Sequence, residues 1–308
     1  MTEPGERFVR LSAGLFRTLD WPGQTPAAVF LHGLSGLADV WRETVDAFGG
    51  DRPHCVAVDQ RGHGHSPRPN SGYTIGRYVQ DAAQLIDSLG DGPVHLVGHS
   101  MGARVALVLA ARAPQLVRSV AILDIGPEQW QANIDGSVAA FDRMPRQFAS
   151  RAEALAFASR GRMGFVANEA MFFRRLRALP DGSYEWLADP EALKATVRSH
   201  RARHYWRDWA DVRVPALFVR GGESTEVRPR IALKMRAANP TIRYEEFEGV
   251  AHNIPLLAPD RLAATLRVFW RSVKADRRSG GCGETSSHGC ACLGRGSRDA
   301  GRRGRRRG

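Results

Sequence analysis

The chain has 308 residues, 43% hydrophobic and 25% charged, enough apolar content for one large globular domain and too much for a fibrous or disordered polymer. Its formal charge of +12 would suit a nucleic-acid partner, but nine arginines against three acids in Asp276–Gly308 carry half of the excess, and the rest forms no basic stripe interleaved with aromatics. No apolar run approaches the roughly 18 residues of a membrane span and MTEPGERFVR has no signal-type segment, so a cytoplasmic protein with neither membrane nor nucleic acid as partner is expected.

Arg7–Leu11 and Leu15–Trp21 have the composition of two short strands joined at Ser12-Ala13-Gly14. Ala27–Leu31 is a buried strand ending in His32-Gly33-Leu34-Ser35-Gly36, followed by helical spacing over Ala38–Phe48. Cys55–Asp59 is the next strand and runs into the glycine-rich turn Gln60–Ser66. The apolar spacing of Ile75, Tyr78, Val79, Ala82, Leu85, Ile86 and Leu89 predicts a helix over Tyr73–Leu89, stopped by Gly90-Asp91-Gly92-Pro93.

Val94–Val97 is a further buried strand, and it meets a helix pattern, Ala103–Ala113, across Gly98-His99-Ser100-Met101-Gly102. A serine in so tight a strand-to-helix turn is forced into a strained backbone conformation. Glycines on either side let the two elements approach, and the hydroxyl is lifted clear of the sheet at the positive end of the helix. Val117–Leu123 returns as a strand ending at Asp124-Ile125-Gly126-Pro127.

From Glu128 to Asp211 the strand pattern gives way to helical segments rich in arginine and aromatics, including Trp130, Trp186, Trp206, Trp209, Phe141, Phe148, Phe157, Phe165, Phe172 and Phe173. Their bulk serves the core of that segment more readily than a substrate box. Strand and helix alternate again through Pro215–Val219, Arg228–Ala238, Ile242–Phe247 and Pro259–Val273, with His252 on the turn before the last helix. Strands separated by helices imply a mainly parallel sheet covered on both faces. Beyond Asp276 glycine, serine and arginine dominate without apolar periodicity, and disorder is expected. Cys282, Cys290 and Cys292 with His288 lack the paired C-x2-C spacing of zinc modules, and Cys55 stands alone in the patterned part, so neither a metal site nor a disulfide framework is implied.

The order of these motifs resembles the α/β-hydrolase superfamily, in its small esterase- and lipase-like branch. The resemblance rests on His32-Gly33, Asp59-Gln60-Arg61-Gly62-His63-Gly64-His65-Ser66, Gly98-His99-Ser100-Met101-Gly102 and Gly249-Val250-Ala251-His252, and it covers Arg7 to Val273. It implies an eight-stranded, mainly parallel sheet with helices on both faces. The core is expected in two parts, residues 1–126 and 212–275, with a helical cap over 127–211 and a tail over 276–308.

It also implies a serine hydrolase. Ser100 is the nucleophile and His252 the base that removes its proton and returns it to the leaving group. The backbone N–H groups of Leu34 and Met101 form the oxyanion hole. The usual acid position, a G-x-x-D turn, here reads Gly221-Gly222-Glu223-Ser224, with serine for aspartate. Family members with this departure carry an aspartate after the sixth strand, which makes Asp124 the acid and Ser224 its support; Glu223 or Glu226, or no acid at all, are the alternatives. Asp59 and Arg61 are read as bracing a turn, and His32 as structural. The expected activity is cleavage of an ester, thioester or lactone of a small, mostly apolar compound through an acyl-enzyme, with no metal or organic cofactor required. A C–C hydrolase, lyase or perhydrolase on the same residues is the alternative chemistry, and a non-catalytic ligand-binding protein the alternative class. Oligomeric state is not legible.

Overall fold

A computed structural model describes residues 3–128, 131–160, 169–199 and 204–279. Trp130, Phe165, His200 and the tail with Cys282, His288, Cys290 and Cys292 lie outside the described residues.

The chain opens with strands β1 (Gly5–Leu11) and β2 (Gly14–Trp21), an antiparallel hairpin, and β3 (Gln24–Leu31). The region predicted helical over Ala38–Phe48 is a 3-10 turn followed by the short α1 (Arg42–Asp46). Strand β4 (Pro53–Val58) leads to α2 (Ile75–Leu89), β5 (Val94–His99), α3 (Met101–Arg112) and β6 (Val117–Leu123). The next segment holds α4 (Gln131–Asp142), β7 (Gln147–Phe148), α5 (Arg151–Arg160), α6 (Glu169–Phe173), β8 (Leu176–Ala178), β9 (Tyr184–Trp186), α7 (Pro190–Ser199) and α8 (Trp206–Asp211). The chain then returns with β10 (Ala216–Gly221), α9 (Pro229–Ala238), β11 (Arg243–Phe247), α10 (Ile254–Leu257) and α11 (Pro259–Ser279).

Eight strands form one sheet in the order β1-β2-β4-β3-β5-β6-β10-β11. Pairing is antiparallel from β1 through β2 to β4 and parallel across the rest. The two-residue side-chain period of a strand assigns its residues to opposite faces. Ala27, Val29 and Leu31 of β3 pack with Leu85 of α2, Val105 of α3 and Met235 of α9. Ala28 and Phe30 face the other way, onto Trp41, Val45 of α1 and Leu266 and Trp270 of α11. Burial on both faces explains why β5 and its neighbours lack polar alternation.

The segment between β6 and β10 builds its own core from Phe141, Phe148, Phe172, Trp186, Leu193 and Val197. It is not purely helical, as its sequence pattern suggests, because β7, β9 and β8 form a small antiparallel sheet. Strands of two or three residues are too short to show a period. Several ties close this segment at its root and seat it on the elements that flank the large sheet. Tyr205 N–H donates to the Pro127 carbonyl at 2.6 Å, and Arg174 Nη1 donates to Asp39 Oδ1 at 2.8 Å. The hydroxyls of Tyr78 and Thr196 meet at 2.8 Å in a buried hydrogen bond. Helix α11 continues to Ser279, past the Asp276 boundary where order was expected to end. Among the described residues no helix is long and apolar enough to cross a membrane.

Candidate active site

The turn after β5 puts Ser100 at φ 54° and ψ −116°, outside the regions that L-residues prefer. Two close approaches hold it there. A Cβ added at Gly98 would stand 2.3 Å from the Gly102 carbonyl oxygen, and one at Gly102 would stand 2.2 Å from that of Leu31. Only glycine lets β5, α3 and β3 pack so tightly, and that packing turns the Ser100 hydroxyl upward from the carboxyl edge of the sheet.

His252 lies on the loop after β11, far along the chain from Ser100, and its Nε2 is 3.0 Å from Ser100 Oγ. Its Nδ1 is 2.7 Å from Asp124 Oδ2. Asp124 follows β6, has a φ of 52°, and its side chain is fully buried. Oδ1 accepts from the Gly221 N–H at 3.0 Å, and Oδ2 also accepts the hydroxyl of Ser224. A carboxylate that accepts on both oxygens leaves Nδ1 of the imidazole to donate and Nε2 to accept. Burial pulls the His252 pKa down, but the hydrogen bond and charge of Asp124, with the charge of Glu226 behind them, outweigh it and leave the group above its ordinary value.

The loop after β3 faces the serine. Gly36 N–H donates to the Gly33 carbonyl at 2.9 Å, and Ser35 N–H donates to His63 Nε2 at 3.2 Å. His63 in turn donates from Nδ1 to the Arg61 carbonyl at 2.9 Å, and His32 donates from Nδ1 to the Gly33 carbonyl at 2.7 Å. Burial pushes His63 down to about 3 and His32 down to about 4, so both are neutral braces near pH 7. Leu34 and Met101 both line the cavity beside Ser100. The Met101 N–H, first in α3, has no acceptor within its own helix.

The structure thus brings together Ser100, His252, Asp124 and Ser224, with Leu34 and Met101 at the same cavity. Glu223 stands apart, which corrects its place as a candidate acid: it is exposed, its N–H donates to the Val250 carbonyl, and the Nδ1 position is held by Asp124. Glu226 lines the cavity without taking that position either. Asp59 accepts from Ala38 N–H and Arg17, and Arg61 grips Asp81 with two hydrogen bonds at 2.5 and 2.6 Å, so both serve the frame.

The family model for the alpha/beta hydrolase fold matches residues 26–259. The chain belongs to the alpha/beta hydrolase family. A 2-(acetamidomethylene)succinate hydrolase of Mesorhizobium japonicum is 31% identical over 240 residues, 77% of this chain and 85% of that protein. An esterase of Mycobacterium tuberculosis is 29% identical over 224 residues, 70% of this chain and 72% of its own. Among solved structures, that of E-2-(acetamidomethylene)succinate hydrolase superposes with a TM-score of 0.80 at 29% identity, covering 87% of this chain and 99% of that one. The family and its esterase and lipase relatives make this chain a hydrolase.

The hydrolase cavity has a volume of about 220 Å³. Leu34, Met101, Ile125 and Val197 supply apolar wall, while Ser35, Ser137, Glu226 and Arg104 supply polar wall, a more mixed lining than the expected apolar substrate would need. His99 is a residue that sequence reasoning passed over. Its Nε2 donates to the His252 carbonyl at 2.8 Å, and burial together with the neighbouring imidazole pushes it down to about 3. A neutral His99 therefore tethers the loop that carries His252. No sequence signal marks that role, since the two lie on elements distant along the chain. Arg104 had a signal: apart from Arg112 in the last turn it is the one charge in an otherwise apolar helix, and it is 2% exposed.

Proposed function

We propose that this hydrolase cleaves a carboxylic ester, thioester or lactone of a small compound by acyl transfer through Ser100. His252 Nε2 takes the Ser100 proton as Oγ attacks the carbonyl carbon. The electron pair moves to the carbonyl oxygen, which the N–H groups of Leu34 and Met101 receive; such donors are worth roughly 3–4 kcal/mol each in comparable sites. Collapse expels the alcohol or thiol, which takes the proton from His252 and leaves an acyl-enzyme. Water, deprotonated by the same imidazole, then releases the acid and restores Ser100. Asp124 stays ionised throughout, holding Nδ1–H and balancing the imidazolium.

One observation carries this reading: the unbroken line of hydrogen bonds from Ser100 Oγ through His252 to Asp124 at the edge of a cavity. Residues 127–211 act as the cap, supported by the contribution of Ser137 and Val197 to the cavity wall. A fluorophosphonate probe is expected to label the wild-type protein and to spare a folded Ser100→Ala variant. Equal labelling of the two removes Ser100 from the role of nucleophile.

A further inference from the structure

Arg104 sits one turn beyond Ser100 on α3, between Ala103 and Val105 in a run of small and apolar residues. Removing a guanidinium from water is costly, and a fold retains one where the charge has something to hold. This one is fixed from several sides. Nη2 donates to the Gly126 carbonyl at 3.3 Å, the guanidinium carbon stands 5.7 Å from the centroid of the Tyr205 ring, and the charge of Glu226 acts on it. Burial lowers its pKa to about 10, against upward pulls from Tyr205 and Glu226, so it remains a cation at neutral pH.

The same residue lines the cavity that holds Ser100 and His252, and it is the one arginine or lysine among the described residues that do so. The helix fixes its distance from the nucleophile, since four residues advance about 6 Å along the axis. A buried cation on a rigid element, one turn from the reacting atom, can measure how far a substrate's negative group lies from its scissile carbonyl.

We propose that Arg104 binds a second, non-scissile carboxylate of the substrate, and that the natural substrates are monoesters or monothioesters of short dicarboxylic acids. The planar fork of the guanidinium matches a carboxylate with two parallel hydrogen bonds. Glu226, on the same wall, disfavours further negative charge, which selects a single carboxylate over a dianionic phosphate. This inference rests on the acyl-transfer reading above, and it narrows the substrate from any small acyl compound to an anionic one.

The test compares monoethyl succinate with ethyl butyrate by pH-stat, because the pair differs only in a terminal carboxylate in place of a methyl group. Wild-type kcat/KM should favour the succinate by about tenfold or more, the scale of a charge-assisted hydrogen bond in a dry site. The ratio of the two kcat/KM values should collapse towards one in Arg104→Met and be partly kept in Arg104→Lys. A ratio cancels any loss of folded protein. Free succinate should also inhibit the wild-type enzyme competitively, where succinamide does not; this measurement stands even if the Met variant fails to fold. A wild-type ratio of one or below, or a ratio unmoved in a folded Arg104→Met, overturns the inference. If Ser100 is labelled by the fluorophosphonate but shows no carboxylate preference, only this inference falls. If neither ester is cleaved and Ser100 is not labelled, the acyl-transfer reading falls and takes it down too.

Discussion

Replacing Asp124 by asparagine changes one atom and little volume, yet the neighbours decide which way the new amide must face. Gly221 N–H donates to Oδ1, so the amide oxygen has to occupy that position; turned round, the NH2 would face an N–H. The NH2 then takes the place of Oδ2, against His252 Nδ1 and the Ser224 hydroxyl, and the latter can accept from it as it does from Glu226 N–H. Nδ1 must become the acceptor, the proton shifts to Nε2, and the imidazole presents a donor to Ser100. An inverted tautomer of this kind costs on the order of 10⁴ in kcat, or about 5 kcal/mol of transition-state stabilisation. The assay is kcat on p-nitrophenyl butyrate, with circular dichroism to show that the variant is folded. Glu223→Gln serves as the control and should stay within about twofold, as expected of an exposed side chain. A folded Asp124→Asn within tenfold of wild type would refute the reasoning.

Two further outcomes follow from the same geometry. In the proposed mechanism His252 accepts a proton only when neutral, and its pKa is raised partly by Glu226, so activity should fall as pH drops through that raised value. Removing the charge in Glu226→Gln should move the acid limb of the kcat/KM profile to lower pH; an unmoved or opposite shift contradicts the assignment. Gly102→Ala places a methyl group 2.2 Å from the Leu31 carbonyl oxygen, so β3 and α3 have to part. The expected loss is about 3 kcal/mol, read as a lower midpoint in urea, and a variant as stable as wild type would show that the elbow has slack.

The sequence made some parts of this site legible because their causes are local. Gly98 and Gly102 flank a serine between a buried strand and a buried helix, and so few backbone paths satisfy that arrangement that the elbow can be inferred from nine residues. The line from Ser100 to His252 is not local: it depends on loops after β5 and β11 meeting at one edge of the sheet, which only the family resemblance anticipated. Asp124 and Ser224 were paired in the same way. Glu223 and Glu226 stayed open as acids because nothing in the order of residues says which way a short turn presents its side chains. The small sheet of β7, β8 and β9 left no periodic trace, and His99 acts through a contact across 153 positions of chain. Arg104 could have been flagged as a charge in an oily helix, but its relation to the cavity needed coordinates.

The bond from Tyr205 N–H to the Pro127 carbonyl closes the neck of the segment that departs after β6 and comes back before β10. The excursion from Pro127 to Tyr205 therefore begins and finishes almost at one point, and α8 then completes the crossover to β10, which runs parallel to β6. A polypeptide loop fastened at its root transmits little strain to its anchor: lengthening or rebuilding it alters the roof of the cavity while the floor, with Ser100 and His252, keeps its shape. Selection can therefore rewrite what this molecule admits without disturbing the machinery beneath.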